Sequence, residues 1–360
     1  MSGPRVAVLG SGANGTSIGV DLALAGVDVT LVEQWPDHVA SLRADGARVQ
    51  IGDEVRVAHP PVYHLCQVAE MREPFDVVLM AMKAYDARWA AELVKPVLSP
   101  DGLLVGVQNG MTADVIAEVV GPDRTVGCVI ECSAAMPEPG VVRRYTPPAS
   151  SWFAVGSLSA ATTGRESEVA DLLRHSGTVA TFEDIRSAKW MKLVSNCSVL
   201  VPTAALGLPM AEAIEVPGFR DLMVAAGREA LAVGTARGHA TLPIFGLTTE
   251  DVAHPGTLVE VMLDRLYAGF VKPGATTTVL HDWDKGRRSE AGDLNGLVAS
   301  LGRHLGVPTP VNDAVAALAR EIEAGRRRPA LENAGVLLSL DPPIDAVASG
   351  VSSKCAKRSS

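Results

Sequence analysis

Lys192 stands inside "WMKLVSNCSVLVPTAALG", an apolar run with helical spacing, and Asn196 follows it by four residues. Four residues is about one helical turn, so the ammonium and the amide share a face. Burying an ammonium is costly unless the group is paired or used. A lysine in this position is therefore to be read either as a paired group or as one with a use, and the rest of the chain has to supply the reason. The competing reading is a lysine whose stem packs in the core while its head reaches water. Glu290, in "GRRSEAGDLNG", opens a predicted helix, where the dipole alone favours an acid.

A second constellation lies at the start of the chain. Gly10, Ser11, Gly12, Ala13, Asn14 and Gly15 spell G-x-G-x-x-G between a β-branched run and a helical one. The first glycine allows a tight turn, the second lets backbone approach a pyrophosphate, and the third lets helix and strand pack closely. The helix N-terminus then offers N–H groups and a positive dipole end to phosphates. Glu33 ends the next strand, where an acid hydrogen-bonds the adenosine ribose and repels a 2′-phosphate. No arginine or lysine follows in "EQWPDHV", so the pattern favours NAD over NADP. Lys83 in "MAMKAYDA" and Asn109 in "VGVQNG" come where two later strand patterns stop. In an open parallel sheet the ligand crevice lies outside those carboxyl ends, although a solvated loop residue reads the same way.

The elements that must carry these groups can be read from periodicity. "PRVAVL", "VDVTLVE", "DVVLMAM" and "GLLVGVQNG" are near-continuous apolar strands alternating with helices, which is the signature of a parallel sheet covered on both faces. Between about 125 and 157 the pattern changes to two or three antiparallel strands with Pro/Gly turns. "ESEVADLLRHSG" is a helix and "TVATFED" a last strand. After Asp184, a plausible N-cap, the period is helical, with helices near 217–237, 256–269, 277–285, 290–305 and 311–324. The expected fold class is α/β: a doubly wound Rossmann-type domain over 1–183, then an all-helical substrate and dimerisation domain over 184–335. A small, polar tail over 336–360 is expected to be partly disordered.

Composition sets the outer limits. The chain has 360 residues, 47% hydrophobic and 20% charged, with a formal net charge of −9. That balance argues against non-specific binding to nucleic acid or to an anionic membrane surface. No apolar run reaches membrane-spanning length, and "MSGPRVAVLG" enters a strand without a signal-type segment. Cys66, Cys128, Cys132, Cys197 and Cys355 are odd in number and scattered, so they read as reduced thiols of a cytoplasmic protein with no metal site.

Taken in order and spacing, "GSGANG", "MKAYDA", "QNG", "KLVSN" and "GRRSEAGDLNG" resemble the ketopantoate reductase family from about residue 5 to about 325. The resemblance implies a Rossmann domain followed by a helical one, 6-phosphogluconate dehydrogenase-like, and reduction of a 2-oxo acid with a nicotinamide cofactor. It implies that Lys192 donates the proton to the C2 oxygen and that Asn196 lines the same pocket. Glu290 would orient substrate or lysine and oppose loss of the lysine's proton. Thr278 would take the substrate carboxylate, while Asn109 would lie near the nicotinamide and Lys83 at the cofactor and cleft. Asp282 and Asp293 read as solvated helix charges, and His281 as a surface histidine.

Three departures bear on the substrate. Leu200 stands where the family pattern has a second asparagine, eight residues after the lysine, and a leucine cannot satisfy a distal hydroxyl. Glu33 stands where NADP-using members usually place a basic residue. The stretch between Lys192 and Glu290 is longer than usual, with an insertion near 240–262 able to rebuild one pocket wall, and "TTTVLHD" and "SEAGD" are altered runs. The leading expectation is therefore an NAD-dependent 2-oxo/2-hydroxy acid oxidoreductase, D-2-hydroxyacid dehydrogenase-like, favouring an apolar or aromatic side group. The alternatives are an NADPH-linked ketopantoate reductase, a dehydrogenase of another alcohol, and a non-catalytic NAD sensor. The apolar helices, "LVEVMLDRLYAGF" above all, point to a homodimer.

Overall fold

The computed structural model describes residues 3–340. They divide into two compact units, one ending at Lys189 and the other starting at Trp190.

The first unit opens with β1 (Arg5–Leu9), α1 (Ala13–Leu24) and β2 (Asp28–Glu33). It continues through α2 (Pro36–Asp45), β3 (Ala47–Ile51), β4 (Glu54–Ala58), β5 (Val62–His64), β6 (Phe75–Met80), α3 (Ala87–Val94), β7 (Leu98–Gly106) and α4 (Thr112–Val120). β8 (Thr125–Glu131), β9 (Ala134–Glu138), β10 (Val141–Arg144), β11 (Trp152–Ser157), α5 (Glu166–Leu173) and β12 (Thr178–Thr181) complete it. Eight strands form one sheet in the order β12-β11-β8-β7-β6-β1-β2-β5. From β5 to β8 all neighbours run parallel. The chain moves outward from β1 through β2 to β5, then returns to the other flank at β6, so the strand order reverses at β1. Open α/β sheets bind ligands at such a switch point. Val6, Val8, Leu79, Leu103 and Leu104 have no solvent exposure, as strands covered on both faces require.

The 125–157 segment differs from expectation. It holds four strands shared between two sheets. β8 and β11 pair antiparallel in the main sheet. β9 and β10 pair with each other and leave that sheet, and β10 joins β3 in parallel to give a second sheet, β4-β3-β10-β9. The strands "ARVQI" and "EVRVA" are five residues each with one polar face, too short for their alternation to announce a separate sheet before their partners meet.

The second unit is helical. α6 (Ile185–Ala205) begins where Asp184 Oδ1 accepts the Ser187 N–H at 3.0 Å, the N-cap expected there. α7 (Met210–Ala213), α8 (Phe219–Ala236), α9 (Thr249–Val252), α10 (Leu258–Gly269), α11 (Thr278–Asp284), α12 (Asn295–Leu305), α13 (Pro310–Glu323) and α14 (Asn333–Leu338) follow. Glu290 does not open α12 itself but a separate 3-10 turn, Glu290–Gly292. α14 reaches into the segment expected as tail; beyond 340 that expectation lies outside the described residues. Pro202 sits inside α6 and removes one N–H from its ladder. Side chains from other segments reach carbonyls nearby: Asn295 Nδ2 donates to Cys197 O at 3.0 Å and Thr277 Oγ1 to Leu200 O at 3.0 Å.

Candidate active site

The glycine loop runs from β1 into α1 at the switch point. Gly10 has φ +88°, and a Cβ there would lie 2.5 Å from Met82 Cγ. A Cβ on Gly15 would lie 2.1 Å from Gly10 O, so helix and loop close only over a glycine. Gly12 is different: nothing lies within 4 Å of where its Cβ would be, and it caps α1 without a side-chain hydrogen bond. Asn14 Oδ1 is a buried acceptor without a hydrogen-bond partner among the described residues. An open second glycine and a helix N-terminus fit a dinucleotide's pyrophosphate.

Ser11 is fully buried, and its carbonyl accepts Thr16 Oγ1 at 2.6 Å. The same carbonyl meets His38 Nε2 at 2.9 Å, and His38 Nδ1 accepts the Gly140 N–H at 2.9 Å. That acceptor assignment leaves the ring proton on Nε2. Burial lowers the His38 pKa, partly opposed by the Ser11 bond, so a neutral imidazole ties the loop to the β9–β10 turn. Glu33 is 5% exposed at the end of β2, and its Oε1 accepts the N–H groups of Gln34 and Trp35 at 2.9 and 3.0 Å. The carboxylate is thereby held at the strand end where a ribose would lie.

Lys83 and Asn109 each follow a strand end by three residues, after β6 and β7. Gln108 joins their loops: its Nε2 donates to Met82 O at 2.8 Å and Lys83 O at 3.2 Å. The sequence reading missed Lys189. It is 3% exposed, and its Nζ donates to Gln108 O at 3.1 Å and Cys128 O at 2.9 Å. The argument that a buried ammonium needs partners thus applies more strongly to Lys189 than to the half-buried Lys192.

In the second unit Lys192, Asn196 and Leu200 recur every four residues along one face of α6. Asn196 is 2% exposed, whereas Lys192 and Leu200 are half-buried. The Lys192 ammonium lies 4.7 Å from the centroid of the Phe245 ring, within cation–π range. Phe245 belongs to the insertion expected to rebuild a wall. It occupies, with Gly246, the centre of a turn closed by Leu247 N–H to Ile244 O at 2.9 Å. Both central residues have positive φ, 54° and 75°, the type I′ pattern. A left-handed Phe costs roughly 1–2 kcal/mol.

Glu290 is 5% exposed. The helix that follows it, α12, is locked to α6 by Asn295, whose Nδ2 donates both to Cys197 O and to Asn312 Oδ1 at 2.9 Å. Asn312 in turn donates from Nδ2 to Glu229 Oε2 at 2.7 Å, and the Val311 and Asn312 N–H groups reach the same carboxylate at 2.9 Å. Burial pushes Glu229 up to about 7. Thr278 opens α11 and is exposed; the buried hydroxyl of the three threonines is Thr277, bonded to Leu200 O. Asp282, read as solvated, is 6% exposed, and His281 Nε2 lies 2.7 Å from Thr276 Oγ1. No cluster of metal-ligating side chains, and no helix long and apolar enough to cross a membrane, occurs among the described residues.

The first unit has the switch-point glycine loop of a dinucleotide-binding α/β domain, and the helical unit carries a lysine with an amide one turn on. Two family models match the chain: ketopantoate reductase PanE/ApbA over residues 6–157 and its C-terminal counterpart over 184–323. The chain therefore belongs to the ketopantoate reductase family, of NAD(P)-dependent oxidoreductases acting on CH–OH groups. It is 27% identical over 346 residues to a 2-dehydropantoate 2-reductase of Mesorhizobium japonicum, covering 89% of this chain and 98% of that one. Among solved structures, a PanE/ApbA family ketopantoate reductase from Ralstonia eutropha is 27% identical, with TM-score 0.75 over 89% and 99% of the two chains. The fold is also that of D-mandelate dehydrogenase solved with NADH and anilino(oxo)acetate, at TM-score 0.79 and 19% identity over 89% and 99% of the two chains.

Proposed function

We propose that the protein interconverts a 2-oxo acid and its 2-hydroxy acid with NAD(H), and that the acid carries an apolar or aromatic side group. The observation that carries this reading is the face of α6, which presents a cation, an amide and a hydrocarbon at successive turns: Lys192, Asn196 and Leu200. Lys192 hydrogen-bonds the C2 oxygen and gives it a proton as the carbon is reduced, so the charge meets the alkoxide where it forms. Asn196 lines the same pocket, and Glu290 orients the substrate or the lysine. The Thr278 hydroxyl receives the carboxylate. Leu200 accepts an apolar group and offers nothing to a hydroxyl, whose desolvation without a partner costs roughly 1–3 kcal/mol. Gly10, Ser11, Gly12, Ala13, Asn14 and Gly15 would hold the pyrophosphate of the dinucleotide, Glu33 its ribose, and Lys83 and Asn109 its nicotinamide end. When bound, the nicotinamide supplies the hydride. We further propose a cytoplasmic homodimer built on the helical unit, which light scattering at micromolar concentration tests.

The names of the curated relatives favour a second reading, NADPH-linked reduction of 2-dehydropantoate. One experiment separates the two. NADH and NADPH consumption is followed with phenylglyoxylate, 2-oxoisovalerate and 2-dehydropantoate, each with wild type and Lys192→Ala. The first reading expects the highest kcat/KM with NADH and an apolar acid, and a fall in kcat of roughly 10²–10⁴-fold for Lys192→Ala. A preference for NADPH with 2-dehydropantoate establishes the second.

A further inference from the structure

Phe245 stands at a backbone position that normally goes to asparagine, aspartate or glycine. In a type I′ turn both central residues need positive φ, and Phe245 is the one non-glycine residue with positive φ among the described residues. The turn is fixed from several sides. Ile244 and Leu247, its two ends, are 1% and 6% exposed. Arg265 donates to the Gly246 carbonyl and pairs with Asp251 Oδ2 at 2.6 Å. Asp251 and Thr248 form a reciprocal cap at the start of α9. The ring held by this turn lies 4.7 Å from the Lys192 ammonium, and Phe270 meets it edge-on at a centroid distance of 6.5 Å. An unfavourable backbone conformation persists where the surrounding structure over-determines it, and such positions cluster at functional sites.

We propose that Phe245 is a specificity-determining residue, an aromatic wall that selects 2-oxo acids whose C2 substituent is an aryl or branched apolar group. The inference rests on Lys192 binding the C2 oxygen, as argued above. An oxygen hydrogen-bonded to Lys192 brings the C2 carbon and its substituent within a few ångströms of the ring that faces the same ammonium. A ring stacks on an aryl group and excludes water, but gives a hydroxymethyl group no acceptor or donor. The insertion that lengthens this chain between Lys192 and Glu290 therefore contributes a substrate contact rather than a surface loop.

The test uses Phe245→Asn, which suits the type I′ turn and removes the ring, and Phe245→Tyr, which keeps the ring. For each, kcat/KM is measured with NADH for phenylglyoxylate and for pyruvate, and the affinity of the unreactive analogue N-phenyloxamate is read by calorimetry in the presence of NADH. Phe245→Asn is expected to lower the phenylglyoxylate-to-pyruvate ratio by roughly 2- to 10-fold, with a matching loss of N-phenyloxamate affinity, since an aromatic contact of this kind is worth about that factor. Phe245→Tyr should restore both. An unchanged ratio in Phe245→Asn, with wild type active on phenylglyoxylate, overturns the inference and leaves the reaction intact. Wild type inactive on every 2-oxo acid overturns the reading beneath it and the inference with it.

Discussion

Asp21→Asn should cripple the first unit although it alters one atom. Asp21 lies on α1, the helix that starts at the glycine loop, and its side chain is 3% exposed. It pairs with Arg144, whose side chain is fully buried, and its other oxygen lies 3.3 Å from Arg56. Arg144 also donates to Thr146 O at 2.7 Å, to Ser151 Oγ at 2.9 Å and to Ser176 O. Those three acceptors are neutral, so asparagine leaves a buried guanidinium without its counter-charge. Breaking one side of such a pair costs about 3–5 kcal/mol. For a unit of this size each kcal/mol moves Tm by roughly 2–4 °C, giving a drop of roughly 6–20 °C. Arg144 ties α1 to β10 and to the Ser151 and Ser176 loops, so NADH affinity should fall with stability. Thermal unfolding followed by circular dichroism, with and without NADH, measures both. Asp21→Asn combined with Arg144→Met removes the stranded charge and should recover much of the loss, a coupling of roughly 0.5–3 kcal/mol. A single variant within about 2 °C of wild type, on the same scale, or a double variant as poor as the sum of its parts, refutes the reasoning.

Four further outcomes follow from the same geometry. Glu33→Arg should narrow or reverse the preference for NADH over NADPH in kcat/KM, because it replaces a carboxylate beside the ribose by a cation; an unchanged ratio sinks the assignment of Glu33. Lys189→Met should strand the carbonyls of Gln108 and Cys128, lowering stability by about 1–3 kcal/mol and raising the KM for NADH, both measurable on one preparation. Leu200→Asn should raise activity on 2-dehydropantoate relative to phenylglyoxylate, and no shift in that ratio means Leu200 does not face the substrate. The two units should respond to pH in opposite senses. Glu229, raised to about 7 from 4.5, contributes stability that is full below 4.5 and lost as pH rises through 7, about 3 kcal/mol over that window. His38, lowered from 6.5, contributes stability that is present above 6.5 and lost as pH falls below it. Hydrogen exchange of α13 and α2 peptides between pH 5 and 8 reads the two slopes apart, with exchange corrected for its intrinsic pH dependence; parallel slopes contradict the assignment.

The main sheet was legible because each strand announces itself locally. β1, β6 and β7 each finish on a buried apolar run and end where Gly10, Lys83 and Asn109 follow within three residues. The helices of the second unit were legible by period for the same reason. The second sheet was not, because β3 and β4 are five residues each with partly exposed faces, and they hold together only once β10 arrives from some ninety positions further along.

The same contrast separates the site residues that could be read from those that could not. Lys192, Asn196 and Leu200 form a pattern within nine residues, and the glycine loop within six. Lys189 gains its meaning from Gln108 and Cys128, 81 and 61 residues away, His38 from Gly140, 102 away, and Glu229 from Asn312, 83 away. None of these leaves a local trace beyond a polar residue in an apolar context, which core packing alone would also produce. Buried polar groups nevertheless had to have partners, and that requirement points to a search the sequence permits: every charged residue in an apolar run is a request for a partner elsewhere. In "AKWMKLVSN" two lysines make that request three residues apart. One is answered by the carbonyls of Gln108, just past β7, and of Cys128, within β8; the other lies beside an aromatic ring from the inserted turn. Two carbonyls hold the first ammonium within its own unit, whereas the second lies over the face of an aromatic ring. That difference accords with the proposal that Lys192, and not Lys189, meets the substrate.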